Sequence, residues 1–193
     1  MLANKFCLFI LLSVFAMSVQ AGYQLDSSKS SLHFVSIKKG TVGEVHSFEK
    51  LNGSISDEGV ANVNIELASV KTNIDIRDGR MKSLLFETDV FPTAGVSVKI
   101  DAAQLASIEV GDVVTMPLAL TLDLHGISKV IQTELQIIGL GGGILLVNTM
   151  KPVMLNAFDY RLDVGIKKLM EVANLPSIAS AVPVSFSLVF KRQ

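Results

Sequence analysis

The chain has 193 residues, 49% of them hydrophobic, and its 17 Lys and Arg against 18 Asp and Glu leave a formal net charge of −1. That balance supplies no basic field of the kind that holds nucleic acid or an anionic membrane surface. The single cysteine, Cys7, excludes a disulfide framework and a cysteine-based metal site.

Residues 1–21, MLANKFCLFILLSVFAMSVQA, place Lys5 before an apolar run from Phe6 to Met17. They end in Val19-Gln20-Ala21, with small residues at the positions a signal peptidase reads. The run is short for a membrane span, so it predicts a cleavable signal peptide and a released protein starting at Gly22. An uncleaved anchor is the alternative. Cys7 leaves with this segment, so what remains must stand on packing alone. Residues 22–193 contain no low-complexity linker and no repeat, and read as one domain.

Along that domain the dominant signal is period two. Residues 62–68 set Val63, Ile65 and Leu67 against Asn62, Asn64 and Glu66. Residues 96–101 repeat the pattern with Val96, Val98 and Ile100. Leu118, Leu120, Leu122 and Leu124 share one side of the next segment. Ile131, Leu135 and Ile137 face inward in 130–138, and Val182, Val184, Phe186, Leu188 and Phe190 do so in 182–190. Such alternation predicts antiparallel strands with one dry face. Turn chemistry separates them at Asn52-Gly53, Asp57-Glu58-Gly59, Gly111-Asp112, His125-Gly126 and Gly139 to Gly143. Long strands on short turns predict an all-β barrel or sandwich.

Two stretches break the alternation. In NIDIRDGRMKSLLFETDVFP, residues 73–92, Asp75, Arg77, Asp78 and Arg80 precede a helical spacing of Met81, Leu84 and Leu85, with Asp78 as the expected N-cap. In 165–176, Ile166, Leu169, Met170 and Ala173 form a helical stripe that Pro176 ends. The expectation is a β-barrel with two short helices.

Chemistry is sparse. His33, His46 and His125 share no metal-ligand spacing and read as surface or strand-end residues; no metal and no cofactor is expected. No serine stands in a G-x-S-x-G elbow, and Gly139–Gly143 lack the GK[ST] ending of a phosphate loop. Nothing assembles an acid, a base and a nucleophile, so no enzyme is expected. The phenylalanines are more telling. Phe34, Phe48, Phe86, Phe91, Phe158, Phe186 and Phe190 suit the inside of a barrel, as packing or as the wall of an apolar cavity.

Tyr23-Gln24-Leu25-Asp26 followed by SSKSSLHF, the stretch IDIRDGRMKSLLFETDVFPTAGV, LDLHGISKVIQTEL and LNAFDYRLDVGI occur in this order along the chain. Together they resemble the YceI-like family of bacterial lipid- and polyisoprenoid-binding proteins. The chain departs from the pattern at Tyr23, where many members have Trp, and at Gly79-Arg80-Met81, where many have His after the Arg-Asp pair. The resemblance implies an extended, lipocalin-like antiparallel barrel of about eight strands, a periplasmic location, and a long isoprenoid, quinone-like or other amphiphilic lipid as ligand.

On that basis Phe34, Phe48, Phe86, Phe91, Leu120, Leu122, Ile131, Phe158 and Phe186 are the expected lumen residues. Arg77 and Arg80 have two readings: contacts to an anionic headgroup, or partners of Asp78 and Asp75 that anchor the insert. The expected role is a lipid carrier without stable membrane insertion, and an apolar mouth would allow a homodimer without requiring one. The alternative is an envelope stress or interaction protein with a solidly packed barrel that works through its outer surface. Cavity volume discriminates the two.

Overall fold

The computed structural model describes residues 22–193; the expected signal segment lies outside them. Twelve strands and three helices follow in chain order: β1 (Tyr23–Leu25), β2 (Ser31–Lys38), β3 (Val42–Phe48), β4 (Leu51–Ile55), β5 (Val60–Glu66), β6 (Val70–Lys71), α1 (Asp75–Arg80), β7 (Thr93–Lys99), α2 (Ala102–Ala106), β8 (Val113–Leu124), β9 (Ile127–Leu140), β10 (Ile144–Thr149), β11 (Val153–Asn156), α3 (Asp163–Val172) and β12 (Ala181–Arg192). Met81–Leu85 continue α1 as a wider π-turn, with the Phe86 N–H donating to the Met81 carbonyl at 2.9 Å.

The sheet closes. Going round, β1, β4, β5, β7, β8, β9, β10 and β12 are neighbours, and β12 returns to β1 through Tyr23↔Arg192 and Leu25↔Phe190. This is a closed eight-stranded antiparallel barrel, as the alternation and the resemblance predict. Strand β12 is the seam. Its second half lies between β10 and β1, and its first half lies between β11 and β2. From β2 the sheet continues to β3 and β6, so one end of the barrel flares.

The barrel is packed at one end. Leu51, Ile55, Val63, Met116, Leu135, Ile137, Leu145, Leu188 and Phe190 are buried there. The alternation of β8 and β9 puts them in register, with Met116 opposite Leu135 and Leu120 opposite Ile131. The β8–β9 turn is a two-residue hairpin at His125 and Gly126, with φ of 54° and 72°. Positive φ at both central residues is what the strand twist asks of so short a turn.

Asn52-Gly53, expected as a turn, lies inside β4, paired with Asn64 and Val63. A Cβ on Gly53 would stand 2.5 Å from the Asn62 carbonyl oxygen. Glycine serves close approach of two strands here, not a reversal. The helix expected from 165 begins two residues sooner, at Asp163. A third helix, α2, was not expected from the pattern; Asp101 caps it by accepting from the Gln104 N–H at 2.9 Å.

Where the barrel closes, Asp26 accepts from the Ser28 N–H at 3.2 Å and hydroxyl at 2.6 Å, and lies 2.6 Å from Lys191 on β12. The Lys191 contact first, and Ser28 second, hold its carboxyl at about 2. A depressed carboxylate stabilises the fold above its unfolded pKa, and that contribution is lost as pH falls through its folded value. Asp26→Asn should therefore have a lower urea midpoint than the wild type at neutral pH. The gap should close as pH approaches about 2, in denaturation curves recorded across that range.

Candidate functional site

At the flared end the barrel is hollow. The cavity measures about 450 Å³, within the roughly 300–1,000 Å³ of small-molecule sites. Strands supply its floor because their inward positions alternate. Phe34 comes from β2, Phe48 from β3, Val96 from β7, Leu120 and Leu122 from β8, Ile131 from β9 and Phe186 from β12. The Phe34 and Phe48 rings lie 5.3 Å apart, and Phe48 and Phe86 5.6 Å apart, so three phenylalanines run as a continuous aromatic wall.

The two breaks in alternation form the roof. Met81, Leu85 and Phe86 of the π-turn and Ile166 and Leu169 of α3 face the cavity. Gly165 lets these segments touch: a Cβ there would stand 2.6 Å from the Leu84 carbonyl oxygen and 2.7 Å from the Leu85 Cα. A side chain at 165 would push α3 off the π-turn. π-turns are rare in soluble proteins and concentrate at functional sites.

Asp78 is not the N-cap of this insert. The helix starts at Asp75, and Asp78 points back into the protein, accepting from the Thr72 N–H at 2.8 Å and hydroxyl at 2.5 Å. Burial pushes its carboxyl up, but the Thr72 hydrogen bonds and then Lys71 outweigh it, so the carboxyl lies below its usual range. Glu87, at the far end of the insert, is 3.1 Å from His125 Nε2 on the β8–β9 turn.

The polar end of the cavity carries Ser36, Lys38, Glu44, His46, Arg77 and Arg80. The expected pairs Arg77–Asp78 and Arg80–Asp75 do not form. Arg77 Nη1 donates to Glu44 at 2.9 Å and Nη2 to the Thr72 carbonyl at 2.7 Å. Lys38 is also on Glu44, at 2.8 Å. Lys38 and then Arg77 hold the Glu44 carboxyl below its usual range against the opposing effect of burial. Arg80 lines the cavity and has no ion-pair partner among the described residues.

Two of the expected lumen phenylalanines are elsewhere. Phe158 is 52% exposed. It sits in a 3₁₀ turn, 157–160, where residues three apart share a face; Ala157 and Tyr160 turn inward and Phe158 turns out. Phe91 lies outside the cavity, its ring 4.2 Å from that of His125.

The histidines also need correction. His33 is exposed, but His46 is buried on the cavity-facing side of β3. Its Nε2 is 2.9 Å from the Ser36 hydroxyl, and its ring meets Phe34 edge-on at 5.2 Å. Burial first, and the nearby Arg77 second, push its pKa down, so it is neutral at pH 7. Tyr160, absent from the sequence expectations, is buried in the cavity wall. Burial and then the Asp159 carboxylate raise its phenol, which stays a protonated donor. Among the described residues no group of three or more His, Asp or Glu side chains converges as a metal site would. The arrangement offers apolar burial with one polar end.

Known proteins repeat this architecture. The model of the YceI-like domain matches residues 23–190. A polyisoprenoid binding domain from Saccharophagus degradans, implicated in plant cell wall breakdown, superposes with a TM-score of 0.87 and 41% identity, over 90% of this chain and 99% of that one. Burkholderia cenocepacia BcnA follows at TM-score 0.66 and 16% identity, over 86% and 98% of the two chains. The Campylobacter jejuni YCEI protein has TM-score 0.54 and 18% identity, over 77% and 84%. The last two share the fold. No curated protein matches the chain.

Proposed function

The chain belongs to the YceI-like domain family, and we propose that it is a periplasmic binding protein that carries a long isoprenoid or related amphiphilic lipid in the barrel cavity. The observation that carries this reading is the hollow half of the barrel, about 450 Å³ and walled by aliphatic and aromatic side chains. A barrel filled from end to end would have favoured a protein that works through its outer surface. The polyisoprenoid-binding description of the Saccharophagus domain, at 41% identity over nearly the whole fold, supports the same ligand class. Residues 1–21 serve as the export signal in this reading.

The mechanism is burial. Each methylene moved from water into the cavity contributes about 0.8 kcal/mol before ordering costs. Phe34, Phe48, Phe86, Leu120, Leu122, Ile131 and Phe186 hold the chain. Arg80 meets the headgroup, because Glu44 and the Thr72 carbonyl already occupy the terminal nitrogens of Arg77. Arg77 positions the rim instead.

Native mass spectrometry of the protein isolated from the periplasm, with solvent extraction, tests the reading. A discrete adduct with the mass of a prenyl lipid is expected. A bare protein that stays bare after incubation with lipid extract would sink it. In the same assay Arg80→Gln should weaken a prenyl diphosphate by about tenfold, roughly 1.4 kcal/mol, and leave an uncharged prenyl hydrocarbon unchanged. Equal losses for both ligands would remove Arg80 from the headgroup role.

A further inference from the structure

Three segments frame the mouth of the cavity and are tied together. The Lys39 N–H donates to the Ser177 carbonyl at 3.0 Å and the Ala179 N–H to the Ile37 carbonyl at 2.8 Å, joining the β2–β3 hairpin to the 173–179 chain. The Arg77–Glu44 pair joins the same hairpin to α1. On this firm rim, aliphatic side chains face water. Ile76 is 65% exposed, Ile74 47% and Val42 41%. Both isoleucines also line the cavity. Val42 shares the cavity-facing side of β3 with Glu44 and His46 by strand alternation. Single exposed aliphatics are ordinary; several around one opening extend the apolar lumen outward to the surface.

The charges at this rim are lopsided. Its acids are already occupied: Glu44 by Lys38 and Arg77, and Asp75 and Asp78 by Lys71 at 3.6 and 3.7 Å. Lys39 and Arg80 have no ion-pair partner among the described residues. The whole chain is formally −1, so this surplus of positive charge is local to the mouth. Net charge conceals it, which is why composition alone gave no membrane surface as a partner. Exposed aliphatics among unpaired cations fit a bilayer interface, where the side chains enter the acyl boundary and the cations meet lipid phosphates.

We propose that the rim formed by Val42, Ile74 and Ile76, with Lys39 and Arg80, docks reversibly on an anionic phospholipid surface and passes cargo between bilayer and cavity. The cargo step rests on the lipid-binding reading above; the docking step does not. Co-sedimentation with phosphatidylcholine vesicles, with and without phosphatidylglycerol, reads docking directly. The full-length exported protein should bind the anionic vesicles and release them at about 1 M salt, where screening shortens to about 3 Å.

Lys39→Glu should lose vesicle affinity by about tenfold while holding a dansyl-labelled prenyl chain in solution as the wild type does. Ile76→Asp should also lose vesicle binding. Transfer of the probe to vesicles should speed up with vesicle concentration. Equal binding to neutral and anionic vesicles, no binding to either, or an unaffected Lys39→Glu variant would overturn docking. A transfer rate independent of vesicle concentration would overturn it as well, and so would transfer that requires an added protein. If the wild type docks but takes up no prenyl probe, docking stands and the lipid-binding reading falls.

Discussion

Leu122→Lys should cost the protein its lipid: affinity for a prenyl probe falls by at least about a hundredfold, some 2.7 kcal/mol or more. Leu122 is buried at the cavity wall, with Val96 across one ladder and Lys129 across the other. A lysine at this position would carry its ammonium toward the lumen, where an apolar chain cannot solvate it. The control is Val130→Lys on the next strand. Val130 is 64% exposed on the outer face, so the same chemical change should leave binding alone. Thermal unfolding of both variants separates a lost site from a lost fold. A folded Leu122→Lys protein that keeps its affinity would move the ligand out of the barrel altogether.

The same residue shows what sequence alone reveals. Leu118, Leu120, Leu122 and Leu124 alternate with small or polar residues, and that period fixes a face without any knowledge of neighbours. Which stretch of that face is packed and which is hollow depends on what stands opposite, and no local pattern encodes it. Phe158 fails for a related reason: its aromatic character suggested the lumen, but a 3₁₀ turn set by Asn156 rotates it outward and brings Tyr160 in. His46 was hidden by its ordinary context. On a strand, the parity that turns Phe34 and Phe48 toward the cavity also turns His46 inward, and the signal was available in the spacing of Glu44, His46 and Phe48. The charged insert was legible as an interruption but not in its wiring. Arg77 reaches Glu44, thirty-three positions back in sequence, and only the closed fold makes them neighbours.

That wiring centres on Asp78, and Asp78→Ala should destabilise the protein by about 3 kcal/mol. The carboxylate receives both the N–H and the hydroxyl of Thr72, and Lys71 lies 3.7 Å from it. Thr72 is itself buried, so truncation leaves its N–H without a partner and its hydroxyl with only a long contact, 3.4 Å, to the Ile74 carbonyl. For a domain of this size the melting temperature should fall by roughly 6–12 °C. Asp78→Asn keeps one acceptor and should lie between the two. Because the Asp78 carboxyl is held below its usual range, its contribution is present at neutral pH and is lost as pH falls through its folded value. The difference between wild type and Asp78→Ala should shrink in acid accordingly. The effect should extend to cargo. Asp78 and Thr72 tie the start of the insert to the end of β6, and the insert carries Met81, Leu85 and Phe86 to the roof of the cavity. Releasing that anchor should speed dissociation of a prenyl probe more than it slows association, since the strand floor remains in place. A melting temperature within about 2 °C of the wild type would mean that the Asp78–Thr72 contact does not hold the roof.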